Sequence, residues 1–196
     1  MRIVHADDRL VVIDKPAGLL SVPGRTEPDC ASARVQALYP DALIVHRLDQ
    51  ATSGLLLFGR GPQAQRELSA DFAERRVDKV YVAIVAGRLD GDGLIDLPLA
   101  ADWPNRPRQQ VDAAHGKPSQ TRWCALGHGD GTTRVRLEPL TGRSHQLRVH
   151  MATLGHAILG DALYAAPDIA AASPRLLLHA SELRIAGHHF LCPPEF

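Results

Sequence analysis

The stretch His46-Arg47-Leu48-Asp49-Gln50-Ala51-Thr52-Ser53-Gly54 separates two apolar runs, Ala42-Leu43-Ile44-Val45 and Leu55-Leu56-Leu57-Phe58. Short apolar runs bounded by polar residues and a glycine read as buried strands. An arginine, an aspartate and two hydroxyls are thus held between core strands, a placement that suits chemistry. A carboxylate in such surroundings has to be paired or hydrogen-bonded. Asp49 is either part of a site or a loop aspartate capping its own turn, and these residues alone leave both open.

Towards the N-terminus, Arg2 to His5 and Arg9 to Ile13 read as paired strands around the turn Ala6-Asp7-Asp8. Lys15-Pro16-Ala17-Gly18 breaks the second strand, and Lys15 by itself reads as a surface lysine. Asp29 is placed to cap a helix reaching about Tyr39, with Val35 and Leu38 inward.

Towards the C-terminus, Gly61-Pro62 opens a helix whose Ala64, Leu68 and Phe72 form one apolar stripe. Arg75 and Arg76 near its end suit the negative end of the helix dipole. Val77 to Gly87 reads as a strand with Val80, Val82 and Ile84 on one face and Lys79, Tyr81 and Ala83 on the other. Tyr81 is either a core aromatic or a flat face for a base. Asp90-Gly91-Asp92-Gly93 is a turn and not a phosphate loop, because no helix follows it, and Gly127-His128-Gly129-Asp130-Gly131 fails as a dinucleotide fingerprint for the same reason. The second joins strands near Thr121–Ala125 and Thr133–Glu138.

Trp103-Pro104-Asn105-Arg106-Pro107-Arg108 is a stiff loop with an aromatic and two arginines. It fits a Trp-anchored surface loop and equally a contact for unpaired bases and phosphates. Ser144 is placed to cap a helix from about His145 to Leu154, ended by Gly155, with Leu147, Met151 and Leu154 as core stripe and Arg148 at the stripe's edge. Its N-terminus, preceded by Gly142 and Arg143, would attract an anion. Leu176–Ala180 and Leu183–Ile185 read as late strands. Strands outnumber helices, which suggests a mixed antiparallel sheet with a few packed helices.

The chain has 196 residues with 45% hydrophobic content, enough for one domain with a sizeable core. No apolar run is long enough to span a bilayer and no signal opens the chain, so a cytoplasmic protein is expected. Cys30, Cys124 and Cys192 make neither a disulfide framework nor a CxxC site, and His145, His150 and His156 lack the HExxH spacing, so no metal is expected. Lysines and arginines number 22, as do aspartates and glutamates. Balanced charge argues against RNA binding by the whole surface, so local clusters must carry it. Only three of the cations are lysines, at 15, 79 and 117. The arginine excess suits phosphate recognition, and with the many alanines it fits a GC-rich genome at least as well.

Four segments, in order, resemble the motifs of the RluA family of pseudouridine synthases. They are Asp14–Gly24, His46–Asp49 with Thr52–Leu55, Lys79–Ala83, and Thr141–Met151 continued by Gly160-Asp161-Ala162-Leu163-Tyr164. Asp102–Gln109 and Gly116-Lys117-Pro118 are similar to the branch of the family that modifies both 23S ribosomal RNA and tRNA. The resemblance implies an α+β fold: a central mixed, mostly antiparallel sheet with flanking helices and an RNA-binding cleft. It implies one catalytic domain over residues 1–196 without an S4 domain. The expected partners are RNA hairpins (23S rRNA and a tRNA anticodon stem-loop), not DNA or membrane, bound by a monomer.

By the same resemblance Asp49 is the catalytic residue, Arg148 pairs with it, and Tyr81 stacks on the flipped uracil. Arg47 fills the space that the base vacates. Trp103, Asn105, Arg106, Arg108, Lys117, Arg143, His145 and Gln146 are expected to hold the substrate. The reaction breaks C1′–N1, turns the base and joins C1′ to C5. One ionised carboxylate suffices, by attacking C1′ or by removing the C2′ proton, and both routes stay open. No redox step or group donor is involved, so no cofactor is expected. Flipping is least costly in loops. The competing readings are a non-catalytic RNA-binding module of the same fold and a small-molecule hydrolase with an aspartate nucleophile.

Overall fold

The computed structural model describes all residues, 1–196. The elements run β1 (Arg2–Ala6), β2 (Leu10–Lys15), α1 (Ala31–Gln36), β3 (Ala42–Ile44), β4 (Ser53–Arg60), α2 (Gly61–Ala73), β5 (Asp78–Ala86) and β6 (Asp92–Asp96). They continue with β7 (Leu99–Ala101), β8 (Gln109–Val111), β9 (Gln120–Gly129), β10 (Thr132–Pro139), α3 (Gln146–Thr153), α4 (Pro167–Ala171), β11 (Leu178–Ile185) and β12 (His188–Leu191). Packing divides the chain into two units, Met1–Lys79 with His179–Glu195, and Val80–Leu178 with Phe196. No helix is long and apolar enough to cross a membrane.

In the first unit β4 is central. It pairs antiparallel with β2 and β3, β2 pairs with β1, and β11 lies parallel to β4 and carries β12. The parallel pairing makes the sheet mixed. Leu55 to Phe58 are at most 1% exposed, so β4 is buried on both faces. A strand covered twice loses the polar–apolar alternation and reads as a continuous apolar run. Leu55 and Leu57 pack with Val12, Leu68 and Phe190, and Phe72 lies against that core. Each such side chain contributes about 1.5–3 kcal/mol on burial. The α2 stripe Ala64, Leu68, Phe72 is where its spacing puts it.

Several local expectations need correcting. Helix α1 is capped by the Cys30 sulfur, which accepts from Ala33 N, while Asp29 instead binds Arg34. The helix ends at Gln36, so Leu38 lies beyond it and is 63% exposed. The late strands are one strand, β11, followed by β12, which the sequence hid. Ala186 and Gly187 between them both have positive φ, at 50° and 80°, as a tight hairpin turn requires. Ala-Gly is a weaker signal for that turn than Asn-Gly.

In the second unit the sheet order is β5-β10-β9-β6, all antiparallel, with β7-β8 as a separate pair. Strands β9 and β10 extend to a two-residue Asp130-Gly131 loop, so Gly127–Gly129 belong to the strand. On β5 the fully buried residues are Ala83 and Val85, on Tyr81's face, while Val82 and Ile84 are only half-buried. Ser144 does not cap α3. His145 holds that position with φ 55° and no side-chain cap, and Leu154 at the other end is exposed.

Candidate active site

The loop from His46 to Ser53 is pinned at His46, Leu48, Gln50 and Ser53. His46 Nε2 accepts from Leu57 N at 3.1 Å, and its ring stacks on Phe72 at 4.4 Å. Burial pushes that imidazole well below its ordinary range, with Lys79 adding to the effect. A neutral ring is what an Nε2 acceptor requires. Leu48 is buried, and Ser21 Oγ both donates to its carbonyl (2.7 Å) and accepts from its N–H (3.1 Å). The Gln50 carbonyl accepts from Gly18 N and from Lys15 Nζ. Ser53 Oγ bonds His179 Nδ1 at 2.8 Å. Between these anchors Arg47 is exposed and Asp49 half-buried. Gly54 closes the loop at φ 109°, where any Cβ would strike the Ala180 backbone.

Lys15 is no surface lysine. It is 0% exposed, and its ammonium donates to the carbonyls of Pro16 (3.0 Å), Leu19 (2.7 Å) and Gln50 (3.2 Å). Burial pushes it down to about 8, against the opposing pull of the Asp49 charge. Three main-chain acceptors match the three donors of an ammonium. The Pro-Gly loop therefore folds around this lysine, and the same group draws in the residue after Asp49.

Arg148 projects from α3 and is 4% exposed. Its Nε and Nη2 meet Asp161 Oδ2 and Oδ1 at 2.8 and 2.6 Å, a bidentate pair. Asp161 is 1% exposed, and its Oδ1 also accepts from Leu163 N and Tyr164 N. Gly160 before it has φ 75°, and a Cβ there would strike the Arg175 carbonyl. The Tyr164 ring faces the guanidinium of Arg148 at 5.1 Å and that of Arg108 at 5.5 Å. Its hydroxyl bonds His145 Nδ1 at 2.6 Å and accepts from Gln109 N at 2.8 Å. Asp161 and Tyr164 were missed as site residues, although the Gly160–Tyr164 motif contains both.

The other expected substrate contacts fall into two groups. Gln146 is 3% exposed, and its amide is spent internally on Thr141, Arg143 N, the Gln120 carbonyl and Thr121. It shapes the turn into α3. Arg143 is half-buried, with Nε on the Pro118 carbonyl. The loop between β7 and β8 is exposed. Trp103 is 69% exposed with the Arg106 guanidinium 3.2 Å above its ring, and Asn105 bonds the Asp102 carboxylate. Lys117 is also exposed, beside β7. Tyr81 is half-buried on β5, opposite Leu137 of β10.

Two clusters bring metal-binding atoms within 4.8 Å of one another, His5/Asp7/His188 and Asp14/His179/Cys192. In the second, His179 Nε2 bonds the Cys192 carbonyl while Nδ1 bonds Ser53, and burial pushes the Cys192 thiol up to about 11. A protonated thiol is a poor ligand. In the first, Asp7 Oδ1 accepts from Arg9 N and Leu10 N, and Oδ2 faces His5 at 2.8 Å. Neither includes Asp49.

Residues 9–153 match the family model described as RNA pseudouridylate synthase. The dual-specificity RNA pseudouridine synthase RluA of Escherichia coli K12 is 53% identical over 93% of this chain and 85% of the relative. The Yersinia pestis protein of the same description is 49% identical over the full length of both. Among solved structures, human RNA Pseudouridylate Synthase Domain Containing 1 superposes with a TM-score of 0.85 at 29% identity, over 99% of this chain and 83% of that one. Human RNA Pseudouridylate Synthase Domain Containing 4, at 24% identity and a TM-score of 0.83 over 99% and 89%, shares the fold. The family match spans most of the chain, and about half of all positions agree with relatives of one activity. The chain therefore belongs to the RNA pseudouridylate synthases, enzymes that isomerise uridine to pseudouridine.

Proposed function

We propose that Asp49 is the catalytic carboxylate and that the substrates are two RNA hairpins, one in 23S ribosomal RNA and one the anticodon stem-loop of a tRNA. The fixing of Leu48 and Gln50 on either side of Asp49 carries the first part. A carboxylate whose neighbours are both tied down is held in one place at little entropic cost when substrate arrives. The description of the Escherichia coli and Yersinia relatives as dual-specificity enzymes supports the second part.

In this reading the Asp49 carboxylate either attacks C1′, displacing the uracil anion, or takes the C2′ proton as that anion leaves. The base turns and C5 bonds to C1′, which breaks the Asp49–C1′ ester on the first route and returns the proton from Asp49 to C2′ on the second; the C5 proton is then lost and N1 gains one, so the product is an isomer. Arg148 supplies positive charge that favours the ionised carboxylate. Tyr81 offers its ring to the flipped base, and exposed Arg47 takes the space the base leaves. Trp103, Arg106 and Arg108 on the exposed loop, with Lys117, meet unpaired bases and phosphates. The enzyme works as a monomer in the cytoplasm, on RNA and not DNA, and the chain acts as a single catalytic domain.

Tritium release from uridine labelled at C5 tests this on the two hairpins with wild type and Asp49→Asn, alongside RNA binding. Release from both RNAs by the wild type, with the variant silent yet still binding, is the expected result. Release from one RNA removes dual specificity. Release by the variant at the wild-type rate removes Asp49 from catalysis.

A further inference from the structure

The proposed chemistry leaves Tyr164 without a part, yet its side chain meets four residues of the same unit at once. Its hydroxyl accepts the N–H of Gln109, where the Trp103–Arg108 loop re-enters β8. The same oxygen bonds Nδ1 of His145, the left-handed residue that starts α3. Its ring faces Arg148, which Asp161 grips from the other side. It also faces Arg108 at the end of the loop. Its own backbone N–H is held by Asp161 Oδ1.

We propose that Tyr164 is a positioning residue that couples the Trp103–Arg108 loop to the guanidinium of Arg148. The inference rests on the reading of that loop as an RNA contact. The two ends of the side chain have separate tasks. The hydroxyl sets the loop, because Gln109 N–H is the first backbone donor after Arg108. When it donates its own proton to Nδ1, a neutral His145 carries its proton on Nε2. The ring sets Arg148, because a cation over an aromatic face is held by the ring quadrupole whether or not a hydroxyl is present. A hydrogen bond that tightens the loop therefore pulls on the same rigid ring that borders Arg148.

Two substitutions separate the tasks. Tyr164→Phe keeps the ring and deletes the hydroxyl. It is expected to raise KM for the hairpin RNA roughly five- to tenfold, the worth of one or two neutral hydrogen bonds, with kcat within about twofold of wild type. Tyr164→Leu keeps bulk and deletes the π face. It is expected to lower kcat as well, by roughly tenfold at the upper range of a desolvated cation–π contact. Rates are taken per folded molecule, with melting curves run beside them.

A Phe variant with unchanged KM overturns the inference. So does a Leu variant that matches the Phe variant in both parameters, or a pair that loses only melting temperature. Failure of the wild type to turn over any hairpin overturns the catalytic reading and this inference with it. Turnover by the wild type without the split overturns the coupling alone.

Discussion

Around Asp49 the fixing bonds end largely on main chain. Ser21 and Lys15 reach carbonyls and an N–H of Leu48 and Gln50, and His46 accepts from Leu57 N. Around Arg148 they end largely on side chains: carboxylate on guanidinium, phenol on imidazole, and two arginines against one aromatic ring. Anchors aimed at backbone fix where a loop runs and leave its outward side chains open to serve chemistry. A network of side chains is coupled through charge, and losing one member disturbs the hydrogen bonding of the rest. The first region should therefore weaken by steps when its anchors are removed, and the second should fail as a unit.

The largest effect is expected at Asp161. Removing it leaves the buried Arg148 guanidinium without its bidentate partner and takes the acceptor from Leu163 N and Tyr164 N. Breaking a buried ion pair from one side costs about 3–5 kcal/mol. Asp161→Ala should lose stability of that size in urea unfolding, with turnover lost as well. Asp161→Asn, which still offers one acceptor to the two backbone donors, should lose less stability. If the alanine variant is destabilised by under about 1 kcal/mol, far below a broken buried pair, the unit-like network is refuted.

Lys15→Met comes next. It deletes the donor shared by three carbonyls but also removes the cost of burying an ammonium, so a net loss of about 2 kcal/mol is expected. Its sign with pH is the sharper test. The folded pKa is pushed down to about 8, from 10.5 in the unfolded chain. Between those values the unfolded state binds more protons than the folded one, so stability contributed by this group rises with pH. The gap between wild type and Lys15→Met should be flat below about pH 8 and widen in favour of wild type up to about 10.5. A gap that narrows over that window contradicts the burial of a strained ammonium.

The strands around Asp49 were legible in sequence because continuous apolar runs and the α2 stripe leave few ways to bury them. Asp49, Arg148 and the Trp103 loop stood out only through the resemblance of their segments to the family's motifs, because their residue types alone fit a structural reading as well. Lys15 was not legible, since burial of a lysine depends on three carbonyls that a folded Pro-Gly loop brings together and no periodicity records. Asp161 was overlooked for a related reason. Its value lies in Arg148, 13 residues away in the chain, and pairing across such a gap has no local signature. Leu38 and Leu154 failed the other way: they continue a helical apolar pattern past the point where the helix has ended. The β12 hairpin turned on two positive φ angles at Ala186 and Gly187, which composition marks only weakly.

Ser21→Ala is the smallest change and tests whether each anchor at Asp49 acts on its own. Ser21 Oγ both donates to and accepts from Leu48, and the residue is 3% exposed. Its loss should cost about 1 kcal/mol, as for a neutral hydrogen bond. Lys15 would still hold Gln50, so the loop keeps one flank. Under stepwise anchoring, turnover falls severalfold while hairpin affinity is unchanged, because the Trp103 loop proposed to meet RNA is untouched. Combining Ser21→Ala with Lys15→Met should then give a loss in stability equal to the two single losses within about 0.5 kcal/mol, as for independent sites. A double variant that loses much more than that would mean that Ser21 and Lys15 stabilise one common loop conformation. The region around Asp49 would then be as cooperative as the one around Arg148, and the distinction between backbone anchors and side-chain networks would not hold for this enzyme.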